Sequence, residues 1–228
     1  MSVTRPVISR KMKLPGAAAF FALLMAVLLL CGRASAADAD ELYYPLKAGR
    51  RWEYKVTSDR SDTKTLVITN QAPKEVNERT VIPRKWEMGK TVFFQLMGKD
   101  EGGVYRFAEQ GGEKAPPIPI TPKEYELKYP VTEGTTWDLT AKVGDVKVPV
   151  NLTIESVTDT VTVPAGTFKN CVKVKTAGEE KGRASVTAYE WYAPQVGVVK
   201  SMVILKRKDQ SGAMTSESRT YLLQSFKP

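Results

Sequence analysis

Between Arg51 and Val56 the chain alternates strictly. Trp52, Tyr54 and Val56 fall on one parity, and Glu53 and Lys55 on the other. The same two-residue period recurs in 136–143, where Trp137, Leu139, Ala141 and Val143 oppose Asp138, Thr140 and Lys142. It recurs again in 146–155, where Val146, Val148, Val150, Leu152 and Ile154 share one face. A period of two is the pattern of a half-buried β-strand, and it spreads apolar residues all around a helix. Strands with one apolar and one polar face belong to antiparallel sheets with one solvated side. Further strands are predicted over 64–69, 79–88, 90–97, 103–109, 159–163, 168–177, 184–192, 197–207 and 216–226. Val198 to Leu205 is apolar on both parities, which predicts a place under a second layer or in a closed region. Apart from one helical turn near Asp38–Tyr44, no segment after residue 36 carries a 3.6-residue apolar stripe. About twelve strands in one domain must curl, so the expected fold is mainly all-β: a curved antiparallel sheet forming a half-barrel, barrel or sandwich.

The strands come in two sets. Tyr44-Pro45 followed by Gly49 and Trp52 returns as Tyr129-Pro130 followed by Gly134 and Trp137, four identities at an offset of 85. Each copy leads into an alternating strand. In each, proline restricts the turn, glycine permits a positive φ, and tryptophan opens the strand toward the core. The pattern reads as two diverged β repeats, about 43–109 and 128–207, in one domain spanning 37–228. They are joined by a Gly- and Pro-rich connector at 110–122 that is expected to be irregular.

Residues 1–36 read as an export signal. Arg5, Arg10, Lys11 and Lys13 precede an apolar run from Ala17 to Leu30, and Ala34-Ser35-Ala36 follows as a cleavage site. The run is 14 residues, about 21 Å as a helix against a bilayer core of roughly 30 Å. Cleavage after Ala36 is the expectation, with lipidation at Cys31 as the minority alternative. The destination is periplasmic or secreted, with no transmembrane segment once the signal is removed. Removing its five Lys/Arg leaves 29 basic residues against 25 acidic, a net charge of +4 in place of +9. A nucleic-acid partner is therefore not indicated.

The chain has no histidine, which removes Ser-His-Asp and Cys-His catalysis and every His-ligated metal site. After signal removal Cys171 stands alone, and the fold must be stable without an internal disulfide. By alternation Cys171 lies opposite Val172 and Val174 and among Lys173 and Lys175. It reads as a small residue filling a sheet face, with a redox thiol as the alternative. Glu53, Glu155 and Glu190 are strand carboxylates whose plain reading is a solvated face. No phosphate-binding glycine loop, catalytic constellation, metal site or cofactor motif is present.

Three blocks carry a family resemblance. Val161-Thr162-Val163-Pro164-Ala165-Gly166-Thr167-Phe168 with Cys171 and Val172 is similar to a "VxVPAGTFxxCxxV" signature. Glu190-Trp191-Tyr192-Ala193-Pro194-Gln195-Val196-Gly197 with Val199 and Lys200 resembles a "WYAPGVGxVK" block. Tyr44-Pro45-Leu46 with Gly49 and Trp52 resembles the family's opening. Together they resemble the DUF3108-like group of bacterial periplasmic proteins and lipoproteins of unknown function. The departure is Gln195 where glycine is commoner, which bears on the turn type. The resemblance implies a β-rich, LolA/LolB-like curved sheet and transfers no catalytic residue.

The functional expectation is a non-enzymatic envelope protein binding a lipid-like or other apolar ligand on a concave β surface. Trp52, Trp86, Trp137 and Trp191, with Tyr189, are the candidate ligand-binding residues; the alternative for the tryptophans is four core anchors. The competing function is a structural or assembly module that binds another envelope protein.

Overall fold

The computed structural model describes residues 42–209 and 211–228. The predicted signal segment, with Cys31 and the cleavage site, lies outside the described residues. Thirteen strands follow a lead-in at 42–50. They are β1 (Arg51–Ser58), β2 (Lys64–Asn70), β3 (Lys74–Val76), β4 (Arg79–Met88), β5 (Thr91–Asp100), β6 (Gly103–Gln110) and β7 (Ile118–Lys128). Then come β8 (Thr136–Val143), β9 (Val146–Val163), β10 (Gly166–Glu180), β11 (Ala184–Ala193), β12 (Gly197–Lys208) and β13 (Met214–Lys227). No described residue is helical.

All pairings are antiparallel, in the order β7-β6-β5-β4-β2-β1-β13-β12-β11-β10-β9-β8, with β3 pairing β4 beside that path. The sheet curls into a nearly closed barrel. Each half is an up-and-down meander, and the first strand of one half meets the last strand of the other. At one junction, β1 and β13 pair from Arg51↔Lys227 to Ser58↔Arg219, with one register shift between Glu53 and Tyr54. At the other, β7 and β8 are the two ends of the sheet, and Trp137 Nε1 donates to the Tyr125 carbonyl at 2.8 Å across the seam.

The predicted alternation sets the inside. Trp52, Tyr54, Val56, Leu66, Ile68 and Leu223 pack in one interior cluster. Trp137, Val143, Val148, Val150, Leu152 and Ile154 anchor another. Val81, Phe94, Leu96 and Ala108 form a smaller cluster on the opposite face of β4 and β5 from Arg84, against which Val76 of β3 packs.

Three expectations change. The connector is strand from Ile118 onward, despite Pro119 and Pro122. Proline lacks a ladder donor and is tolerated at a sheet edge, where β7 lies. The segments 146–155 and 159–163 are one strand, β9, because the register slips near Ser156 and Asp159 through bulges instead of a turn. Met202 and Ile204 of β12 are not under a second layer; they face outward, 38% and 40% exposed.

The Ala193–Gly197 turn settles the Gln195 departure. Gln195 adopts φ +63° and Gly197 φ +91°, so glutamine occupies the left-handed position that glycine takes most readily. The Gln195 amide donates to the Leu42 carbonyl at 2.7 Å, and Arg50 donates a side-chain N–H to the Gln195 carbonyl. These bonds tie the turn to the lead-in segment.

Candidate functional site

Along β4, Ile82, Arg84 and Trp86 alternate with Val81, Pro83 and Lys85. That parity sends Arg84 inward, where it is 3% exposed. Its guanidinium carbon lies 4.7 Å from the Tyr44 ring centroid and 4.7 Å from that of Trp52. Both rings present the electron-rich faces that attract a cation. Trp52 is held in turn by its Nε1, which donates to the Val196 carbonyl at 2.6 Å. Among the described residues Arg84 forms no ion pair, and its buried Nε has no acceptor.

On β11 the inward parity is Ala188, Glu190 and Tyr192. Tyr192 donates its hydroxyl to Glu190 Oε2 at 2.7 Å. Desolvation pushes the Glu190 carboxyl above its usual range, the charge of Glu126 pushes the same way, and the Tyr192 and Ser201 hydroxyls and the Arg84 charge oppose. Burial also raises the Tyr44, Tyr54 and Tyr192 phenols, so these stay neutral at physiological pH. Glu126 of β7 is committed to Arg106, with Nε 2.7 Å from its Oε1; Arg106 also holds Glu109 and Glu124.

These groups surround a half-open cavity of about 220 Å³ inside the barrel. Leu66, Ile68, Trp86, Val198 and Val203 form its apolar wall, and Arg84, Glu126, Glu190 and Ser201 its polar end. The Trp86 ring is stacked on Phe93 at 5.5 Å. A second space of about 640 Å³ shares Tyr44 as a wall and is lined by Ile82, Met97, Val104, Lys47 and Arg50.

The sequence candidates divide. Trp86 lines the cavity, and Trp52 stands behind Arg84. Trp137 is buried at the β7/β8 seam and does not line it. Trp191 and Tyr189 lie on the opposite face of β11. There Trp191 Nε1 donates to Asp159 Oδ2 at 2.9 Å, and Lys173 and Lys200 lie over its ring. Tyr189 sits 6.3 Å from Trp191, with Lys173 also over its ring. The five candidates therefore do not share one face, because strand parity separates Trp191 and Tyr189 from the interior.

The same parity corrects Glu190, which faces inward and not into solvent. Glu155 and Glu53 do face outward, paired with Lys173 at 2.9 Å and with Arg51 at 3.3 Å. Arg84 and Glu126 are new to the site. The signal for Arg84 was present, since it shares its parity with Ile82 and Trp86, but a charge at one alternating position does not show which parity is buried.

Cys171 fills a sheet face as a small buried residue, opposite Val172 and Val174. Bulges on either side place it and Val172 both at 0% exposure, in different interior clusters. Burial, and secondarily the negative charge of Asp159, raise the thiol to about 11. The expected neighbouring lysines do not activate it.

The fold and cavity define a class: all-β proteins whose single sheet closes almost completely around a small, mostly apolar interior space. Within it, residues 143–218 match the DUF3108-like family model. That stretch contains the 161–172 and 190–200 blocks on which the resemblance rested. Two solved structures resemble the chain. One, from Bacteroides fragilis, is provisionally described as an exported protein with a YmcC-like fold; it is 18% identical, covers 82% of this chain and 99% of its own, and has a TM-score of 0.46. The other, from Parabacteroides distasonis, is provisionally described as a lipoprotein; it is 13% identical, covers 82% of this chain and 98% of its own, and has a TM-score of 0.37. No curated protein matches the chain. Among the described residues no helix is long and apolar enough to cross a membrane.

Proposed function

We propose that this protein is an exported, non-enzymatic envelope protein that holds a small lipid-like or other apolar molecule inside its barrel. The observation that carries the reading is the cavity between β1, β2, β4, β11 and β12, with Leu66, Ile68, Trp86, Val198 and Val203 as its wall. The interior is not filled, and apolar concave space with a few convergent polar groups is the usual form of a small-molecule site. Size limits the occupant. The space inside the barrel is about 220 Å³, which suits one short chain or ring as the enclosed part.

Acid/base catalysis is the weaker reading of the same residues. Glu126 and Glu190 share the cavity, but Glu126 is ion-paired to Arg106 and Glu190 is bonded to Tyr192. A partner-binding role is favoured by a different observation, the outward-facing Met202 and Ile204 beside Tyr189 on β11 and β12.

Native mass spectrometry of protein purified gently from its host envelope separates the two binding roles. A releasable adduct, lost in Val203→Phe, which fills the cavity, supports carriage of an apolar molecule. A clean mass shifts the function to the partner-binding face.

A further inference from the structure

We infer that Arg84 is the anchor for an anionic headgroup, so that the molecule held in the barrel is a short-chain amphiphile bearing one negative charge. This rests on the reading of the interior as a ligand site and adds the chemistry of its polar end. A guanidinium 3% exposed is a buried charge, and such charges are normally paired. Arg84 has no carboxylate partner among the described residues and has an Nε without an acceptor. The two rings at 4.7 Å fix its position and offset part of its desolvation, yet neither neutralises it.

The nearby acids do not meet the need. Glu126 belongs to Arg106. Glu190 takes the Tyr192 hydroxyl, and its carboxyl is held toward the neutral form by its surroundings. The guanidinium is therefore left without an ion-pair partner in the cavity. Its planar fork of donors suits a carboxylate. The apolar wall of Leu66, Ile68, Val198 and Val203 supplies the surface for a tail, and the volume restricts the enclosed part to a few methylenes.

The test is calorimetric titration of the full chain after signal removal with octanoate, octanol and octylamine, on wild type and on Arg84→Met and Arg84→Lys. Octanoate is expected to bind wild type about 10- to 100-fold more tightly than octanol, the range of a charged hydrogen-bonded pair. Arg84→Met is expected to abolish that preference while octanol still binds, which also reports that the variant is folded. Arg84→Lys should retain part of it. Equal binding of octanoate and octanol by wild type overturns the anchor and leaves the ligand site standing. Preference for octylamine overturns it in favour of the carboxylates. Failure of all three to bind removes the interior site and the anchor together. The wild-type comparison decides the matter even if Arg84→Met does not fold.

Discussion

Gly49 and Gly134, 85 positions apart, occupy the same backbone state and make the same bond. Their φ angles are +83° and +86°. Gly49 donates its amide to the Asn70 carbonyl and Gly134 to the Ile154 carbonyl, each at 2.9 Å. The return bonds also correspond, from Asn70 to the Arg50 carbonyl and from Ile154 to the Thr135 carbonyl, again 2.9 Å each. Three residues beyond each glycine a buried tryptophan opens the strand. A diverged duplication leaves this kind of equivalence, and the two six-strand meanders that meet first to last around the barrel support that reading. A Cβ at either glycine would meet nothing within 4 Å, so only backbone conformation opposes a side chain. Gly49→Ala and Gly134→Ala are each expected to cost about 1–2 kcal/mol in urea unfolding. A marked inequality between them would show that the turns are not equivalent.

Trp52 and Trp137 carry the same comparison into the core. Both are buried, and each donates its indole N–H to a backbone carbonyl far in sequence or across the seam. Truncation to alanine is expected to cost about 3–5 kcal/mol at either position. Trp137→Phe keeps most of the packing and removes the bond to Tyr125, the one bridge just described between β7 and β8. It should cost about 1 kcal/mol and raise amide hydrogen exchange along Ile118–Lys128 before any other strand. Uniform acceleration across the barrel would contradict a locally held seam.

Cys171 should be chemically silent in the folded protein. Its thiol is raised to about 11 and is fully buried, so the thiolate fraction at pH 8 is small and reagent access is blocked. A disulfide reagent is expected to label it only after unfolding. Cys171→Ala should be tolerated better than Cys171→Ser, because serine places a stronger polar group in an apolar cluster where the sulfur makes only weak contacts, such as the Phe168 carbonyl at 3.5 Å. Rapid labelling of the native protein at pH 8 would contradict this assignment.

Glu190 gives a pH dependence of definite sign. Its folded carboxyl is raised above the ordinary value of 4.5, so the native state binds a proton more readily than the unfolded chain. The favourable contribution is present below 4.5 and is lost as pH rises through the shifted value. Glu190→Gln keeps a carbonyl for Tyr192 and cannot ionise. The variant should be more stable than wild type near neutral pH, with the difference closing toward pH 4. Thermal unfolding across that range checks it, and a gap that widens on acidification would reverse the sign.

Alternation made the barrel legible. Trp52, Tyr54 and Val56, and the run from Val146 to Ile154, face inward as their period requires, because one buried face enforces a register. Bulges were not legible. The slip near Ser156 hid the continuity of β9. The edge position of β7, which makes Pro119 and Pro122 acceptable in a strand, depends on a sheet order that local sequence does not state. The cavity was legible only in part. Trp86 was a candidate, but Glu190 read as a solvated charge and Arg84 was not singled out, since only the closure of the sheet decides which parity is inside. Trp191 illustrates the converse: it is a large aromatic that the lysines and Asp159 accommodate on the outer face.

The four tryptophans make a direct test of where the ligand sits. Labelled with 5-fluorotryptophan, they give four ¹⁹F resonances, assignable through Trp→Phe variants. On titration with octanoate, the Trp86 signal should move most, since its ring lines the cavity. Trp52 should follow through Arg84, and Trp137 at the seam and Trp191 on the outer face should stay in place. Movement of Trp191 alone, or of none of the four at saturating octanoate, would contradict a binding site inside the barrel.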